Sequence, residues 1–249
     1  MPPLAPLPDP VTEGKRIAEA AAAAGTPLRL LGGVAIALQC PSSRTPPLQR
    51  SYRDIDFATT ADSRGAAVEL LGSMGYQGDR EFNTLHGHRR LIFWDDANQR
   101  HLDVFVEEAN LCHRISLGNR LDLIPLTLSL ADLAVLKLQV VETNEKDYLD
   151  ICALFADHEL SEDESGINIG YISQLAASDW GLWRTLGMVA ERSERFALGL
   201  EDLATADLVA ARLHRLREEL DTTPKTRGWK LRARVGERKR WYELPEEVH

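Results

Sequence analysis

The sequence predicts an α+β protein: a mixed β-sheet flanked by helices, followed by an α-helical domain. Three observations carry this. Short apolar or alternating segments, separated by helix-like ones, fill the chain as far as Leu123. From Ser129 onward strand signals stop and helical spacing of apolar residues takes over. A chain of 249 residues, 44% hydrophobic and 27% charged, can bury a sizeable core in one large domain or two small ones. The change of pattern divides it into residues 10–125 and 126–249.

Residues from Pro10 to Ala24 read as a helix, with Asp9 as N-cap, Pro10 in the first turn and an alanine run behind it. Gly25-Thr26-Pro27 stops it, and Leu28 to Leu31 forms a short apolar strand ending at Gly32-Gly33. Val34 to Gln39 has the composition of a short buried helix, and the prolines of Cys40 to Gln49 mark a loop. Next come the strand Asp54–Ala58 and an amphipathic helix from Ser63 to Met74, whose leucines and Val68 read as core. Two strands, Arg89–Trp94 and His101–Val106, flank the turn Asp95–Asn98, and a last short strand includes Arg114–Leu117. Helices are predicted at Leu130–Val141, Lys146–Phe155, Gly170–Ala177, Trp180–Phe196 and Glu201–Leu220. The last carries Leu203, Leu208, Val209, Leu213, Leu216 and Leu220 on one stripe.

No apolar run reaches the roughly 20 residues of a membrane span. The opening, Met1 to Pro8, has neither a basic nor an apolar leader region and reads as a disordered or extended arm. Cys40, Cys112 and Cys152 are too scattered for a disulfide framework or a zinc site and fit a reducing cytoplasm. The net charge of −9 excludes non-specific nucleic-acid binding by the whole surface. Pro224 to Tyr242, however, carries eight basic residues against the single Glu237, with Trp229, Trp241 and Tyr242 among them. That stretch is either a nucleic-acid contact or a solvated tail.

Two motifs carry chemistry. Gly32-Gly33 between a strand and a helix lets backbone approach a phosphate, with helix amides facing the anion. In Arg53-Asp54-Ile55-Asp56-Phe57 the alternation of a strand puts Asp54 and Asp56 on one face and Ile55 and Phe57 in the core. Two carboxylates side by side repel unless a cation sits between them, and Mg²⁺ binds through one or two carboxylates plus substrate phosphates. Asp103, on a neighbouring strand, adds a third carboxylate and a base for an incoming hydroxyl. Each motif alone also describes a tight turn or an acidic strand edge. Their order carries the signal. Arg50 and Arg53 flank the acidic strand as further phosphate contacts or plain surface charges. His86 and His88 alternate but lack a third ligand and read as loop residues.

This order of strand, Gly-Gly, helix, Asp-x-Asp strand and Asp strand resembles the nucleotidyltransferase superfamily typified by DNA polymerase β. It looks most like the minimal bacterial branch that contains the AbiEii-type abortive-infection toxins and the MenT toxins. The resemblance runs into the helical half through Lys137 in Ala134-Val135-Leu136-Lys137-Leu138 and through Lys146-Asp147-Tyr148-Leu149-Asp150. It implies a phosphate-binding Lys137 and a second catalytic or lysine-orienting acid, Asp147. Val34 stands where the family often has a hydroxyl residue, and the gap from Gly33 to Asp54 is long, so the 40–49 loop must fold out.

The expectation is a Mg²⁺-dependent enzyme that moves a nucleoside monophosphate from an NTP to an acceptor hydroxyl and releases pyrophosphate. Asp54, Asp56 and Asp103 would hold two Mg²⁺ ions. Gly32, Gly33, Arg50 and Lys137 would bind the nucleotide, and Asp147 would join the catalytic set. The acceptor would be tRNA, a protein or a small molecule, and the toxin resemblance adds a possible antitoxin partner and no membrane. The alternative is an inactive nucleotide-binding or interaction module of the same fold.

Overall fold

The structure, a computed structural model, describes residues 5–244. In chain order its elements begin α1 (Pro10–Ala23), β1 (Leu28–Leu31), α2 (Gly32–Gln39), β2 (Ile55–Thr59), α3 (Arg64–Ser73), β3 (Gln77–Gly78), α4 (Arg80–His86), β4 (Arg90–Asp95) and β5 (Arg100–Val106). They continue β6 (Glu108–Asn110), β7 (Arg114–Ser116), α5 (Leu130–Leu138), α6 (Glu145–Asp157), β8 (Leu160–Ser161) and β9 (Ile167–Asn168). The last are α7 (Ile169–Ser178), α8 (Trp180–Ala197), α9 (Leu203–Thr222) and α10 (Arg227–Val235). The chain divides into two units: residues to Gln39, 51–109 and 115–129 form one, and 40–50, 110–114 and 130 onward form the other. No helix of the described residues is long and apolar enough to cross a membrane.

The first unit is built on a five-stranded mixed sheet of order β1-β2-β5-β4-β3. β2 runs parallel to β5, while β1 and β4 flank that pair antiparallel. Alternation sets its core: Leu28 and Leu30, Ile55 and Phe57, Leu102 and Val104 are all fully buried. Asp9 caps α1 through the Thr12 amide at 2.7 Å. Glu13 is buried on that helix but satisfied by Arg16 at 2.7 Å, the Tyr76 hydroxyl at 2.9 Å and the Leu7 amide at 3.1 Å. The stretch ahead of α1 is therefore pinned, since Arg100 also donates to the Leu7 carbonyl at 2.8 Å. The part of the expected disordered or extended arm at 1–4 lies outside the described residues.

Two expectations in this unit are corrected. Val68 is 40% exposed, because α3 turns only Ala67 and Leu71 fully inward. The segment with His86 and His88 is not all loop: Asp79 caps α4 through the Phe82 amide, and His86 ends that helix with its ring tilted against Phe82. A seven-residue helix with no buried residue leaves no apolar period to read.

The second unit is helical, apart from the two-stranded parallel β8–β9 pair. The 40–50 segment leaves the first unit, as the long gap after Gly33 predicts, and belongs to this one. It forms a 3-10 turn at Pro41–Arg44, buries Cys40 and Leu48, and takes the Asp157 carboxylate of α6 onto the Ser42 amide at 2.9 Å. On α9 the stripe is narrower than expected: Val209, Leu213, Leu216 and Leu220 are buried, whereas Leu203 and Leu208 face solvent. The basic C-terminal stretch is folded yet solvent-facing, with no buried residue over Arg227–Val235. It forms α10, capped by Thr226, with Trp229 edge-on to Trp183 and Trp241 edge-on to Trp180. Arg232 lies 4.6 Å over the Trp180 ring and ties down the carbonyls of Gly236 and Lys239.

Candidate active site

Strand register in the first unit assembles the carboxylates. Leu31 pairs with Asp56 across β1–β2, and Asp56 pairs with Asp103 across β2–β5. Gly32, the next residue after Leu31, has φ +67, and a Cβ there would lie 2.3 Å from Oδ2 of Asp56. Only glycine fits, because the backbone conformation and the carboxylate both exclude a side chain. The chain thus turns from β1 into α2 directly against Asp56. Asp54 stands just before β2 and is exposed, Asp56 is half-buried, and Asp103 is 6% exposed.

Asp103 is the most constrained of the three. Arg90 Nε and Nη2 donate to its two oxygens at 2.7 and 2.8 Å, a bidentate pair formed between adjacent strands. His101 Nδ1 lies 3.3 Å from Oδ2 of the same carboxylate. Burial works to raise the Asp103 pKa, but the bonds from His101 and Arg90 outweigh it and hold the carboxyl below its ordinary range. The bond to Asp103 raises the His101 pKa, against partial burial, and Asp54 adds a smaller attraction. His101 and Arg90 are members of this site that the sequence did not reveal. Their signal was alternation: both fall on the Asp103 face of their strands.

These donors fit a divalent cation only in part. Asp54 and Asp56 offer oxygens on one face, while Asp103 already has Arg90 as its cation. Among the described residues no group of three or more His, Cys, Asp or Glu side chains is arranged to hold a metal. A helix start and a carboxylate pair nevertheless call for opposite partners, an anion for the amides and a cation for the acids. A cation already bound to phosphate meets both demands.

In the second unit, Lys137 of α5 makes ion pairs with Asp147 at 2.9 Å and Asp150 at 2.8 Å. Burial works against its charge, yet the two carboxylates keep its pKa above the ordinary lysine value. Arg50 closes on Asp150 from the other side through Nε at 2.6 Å and Nη2 at 2.8 Å. Asp147 also completes a capping box with Asn144 at the start of α6. The sequence marked Lys137, Asp147 and Arg50 as nucleotide-binding or catalytic. The structure gathers them, with the buried Asp150, into one charge network.

No protein-family model matches the chain, and no curated protein matches it. Among solved structures, JHP933 from Helicobacter pylori is similar at 13% identity and a TM-score of 0.39, over 90% of this chain and 97% of that one. A candidate nucleotidyltransferase from H. pylori is similar at 13% identity and a TM-score of 0.38, over 88% of this chain and all of that one.

Proposed function

We propose that this protein is a nucleotidyltransferase that moves a nucleoside monophosphate from an NTP to an acceptor hydroxyl and releases pyrophosphate. One observation carries the reading: Gly32 brings the start of α2 against Asp56, where a Cβ would stand 2.3 Å from the carboxylate. In this reading the α2 amides bind phosphate oxygens, and Asp54 and Asp56 hold Mg²⁺ together with the triphosphate. The metal, when bound, neutralises phosphate charge and favours in-line displacement. The acceptor oxygen attacks the α-phosphorus, the bond to the bridging oxygen breaks, and pyrophosphate leaves with that electron pair. The acceptor proton passes to the Asp103–His101 pair, which Arg90 holds in place. The toxin-like motif order favours tRNA as the acceptor.

The test is incubation of α-labelled NTPs with total tRNA and with cell protein in the presence of Mg²⁺. Label transfer from at least one NTP, lost in Asp56→Asn, is the expected result. Transfer that persists in Asp56→Asn would refute the site. A second reading, a nucleotide-binding module without turnover, is favoured by the bidentate Arg90–Asp103 pair, which occupies the expected base. It expects Mg²⁺·NTP to raise the melting temperature with no label transferred to either acceptor pool.

A further inference from the structure

A concavity lies on the opposite face of the same sheet. Ile92 pairs with Asp103, so its neighbours Leu91 and Phe93 point to the other side. With Val68 of α3 they form the apolar wall of a cavity of about 660 Å³, within the size range of small-molecule sites. Arg64, Arg80 and His88 also line it, and among the described residues no carboxylate does. On a chain of net charge −9 that is an unusual grouping. Arg64 makes one hydrogen bond among the described residues, from Nη1 to the Gly87 carbonyl at 3.4 Å, next in sequence to His88. Neither arginine has an ion-pair partner among the described residues. Cations gathered in a cleft without a counter-charge focus a positive field, and guanidinium groups match phosphate oxygens bidentately.

We propose that this cavity binds a small organic phosphate, its aromatic or apolar body against Val68, Leu91 and Phe93 and its phosphate at Arg64 and Arg80. The site shares no residue with Asp54, Asp56 and Asp103 and stands independently of nucleotidyl transfer.

The experiment is calorimetric titration of the full chain with phenyl phosphate, AMP and inorganic phosphate, in EDTA so that the carboxylate face has no cation to bridge to phosphate. Three variants accompany it. Arg64→Ala/Arg80→Ala removes the charges from two exposed positions. Gly72→Leu fills the cavity from α3, where an added Cβ meets nothing within 4 Å. Asp56→Asn reports on the other face. Phenyl phosphate or AMP is expected to bind at least tenfold more tightly than inorganic phosphate. That binding is expected to weaken at least tenfold in both cavity variants and to stay unchanged in Asp56→Asn. Absence of saturable binding by either organic phosphate would overturn the proposal. So would equal binding of inorganic phosphate, binding that survives either cavity variant, or binding lost in Asp56→Asn. Failure of label transfer would leave each of these outcomes unaffected.

Discussion

Replacing Gly32 by alanine tests the geometry on which the site is built. Two costs follow from the structure. At φ +67 an L-residue is strained by about 1–2 kcal/mol. The new methyl, 2.3 Å from Oδ2 of Asp56, must also drive that carboxylate off its rotamer, adding about 0.5–1.5 kcal/mol. Gly25 supplies the control, because it has φ +68 but nothing within 4 Å of an added Cβ. The loss of unfolded-chain freedom on changing Gly to Ala is common to both variants and cancels. Thermal melts should therefore place Gly32→Ala below Gly25→Ala by about 1 kcal/mol, a further few degrees in Tm for a chain of this size. The two should separate more widely in NTP-dependent turnover. Displacing a reactive carboxylate by an ångström costs on the order of 100-fold, so Gly32→Ala should lose about that much while Gly25→Ala keeps wild-type rates. In an Asp56→Ala background the extra penalty at Gly32 should vanish. If Gly32→Ala and Gly25→Ala match in both melting and turnover, the close approach to Asp56 has no role and the reasoning fails.

Two further predictions concern the second unit. Lys137→Met leaves the fully buried Asp150 with Arg50 alone and Asp147 without its cation, so urea denaturation should show a loss of about 3 kcal/mol; a change under 1 kcal/mol would contradict the network. His113 is buried with Nε2 2.8 Å from the Thr185 hydroxyl, and burial lowers its pKa below the ordinary histidine value. A group whose folded pKa is depressed contributes stability that is present above its unfolded pKa, about 6.5, and lost as pH falls through the folded value. Unfolding followed by tryptophan fluorescence should therefore show stability falling below about pH 6.5, by at most about 1.4 kcal/mol per pH unit. The slope should flatten in His113→Gln; an unchanged acid limb in that variant would refute the assignment.

Much of the architecture was legible because burial leaves a period in the sequence. β1 is read at Leu28–Leu31 because three leucines cluster between turn signals, and α8 because its apolar positions recur along one side. Elements without that imprint were missed. α4 buries nothing, β3 is a two-residue edge, and α10 is held by tryptophans distant in sequence rather than by an apolar stripe of its own. Leu203 and Leu208 show the converse, since helical spacing marks a face but not how far neighbouring elements cover it.

The candidate site was legible to the same degree. Gly32, Asp54, Asp56 and Asp103 announce themselves by residue type and strand alternation. The register that sets Asp56 between Leu31 and Asp103 is a long-range property, as is the bond from Arg90 to Asp103. Alternation puts Arg90 on one face of β4, but only the pairing with β5 makes that the Asp103 face. The same holds for Lys137, which reads as an isolated lysine on an apolar helix until α6 brings Asp147 and Asp150 to it.

The most direct test of the central claim is equilibrium binding of α,β-methylene NTP analogues, titrated with and without Mg²⁺ into wild type, Asp54→Asn and Asp56→Asn. This measurement requires no knowledge of the acceptor. At least one analogue is expected to bind wild type at least tenfold more tightly with Mg²⁺, and each substitution is expected to abolish that gain. Failure of all four analogues to bind, or a Mg²⁺ effect that survives Asp56→Asn, would contradict a nucleotide site at Gly32 and Asp56.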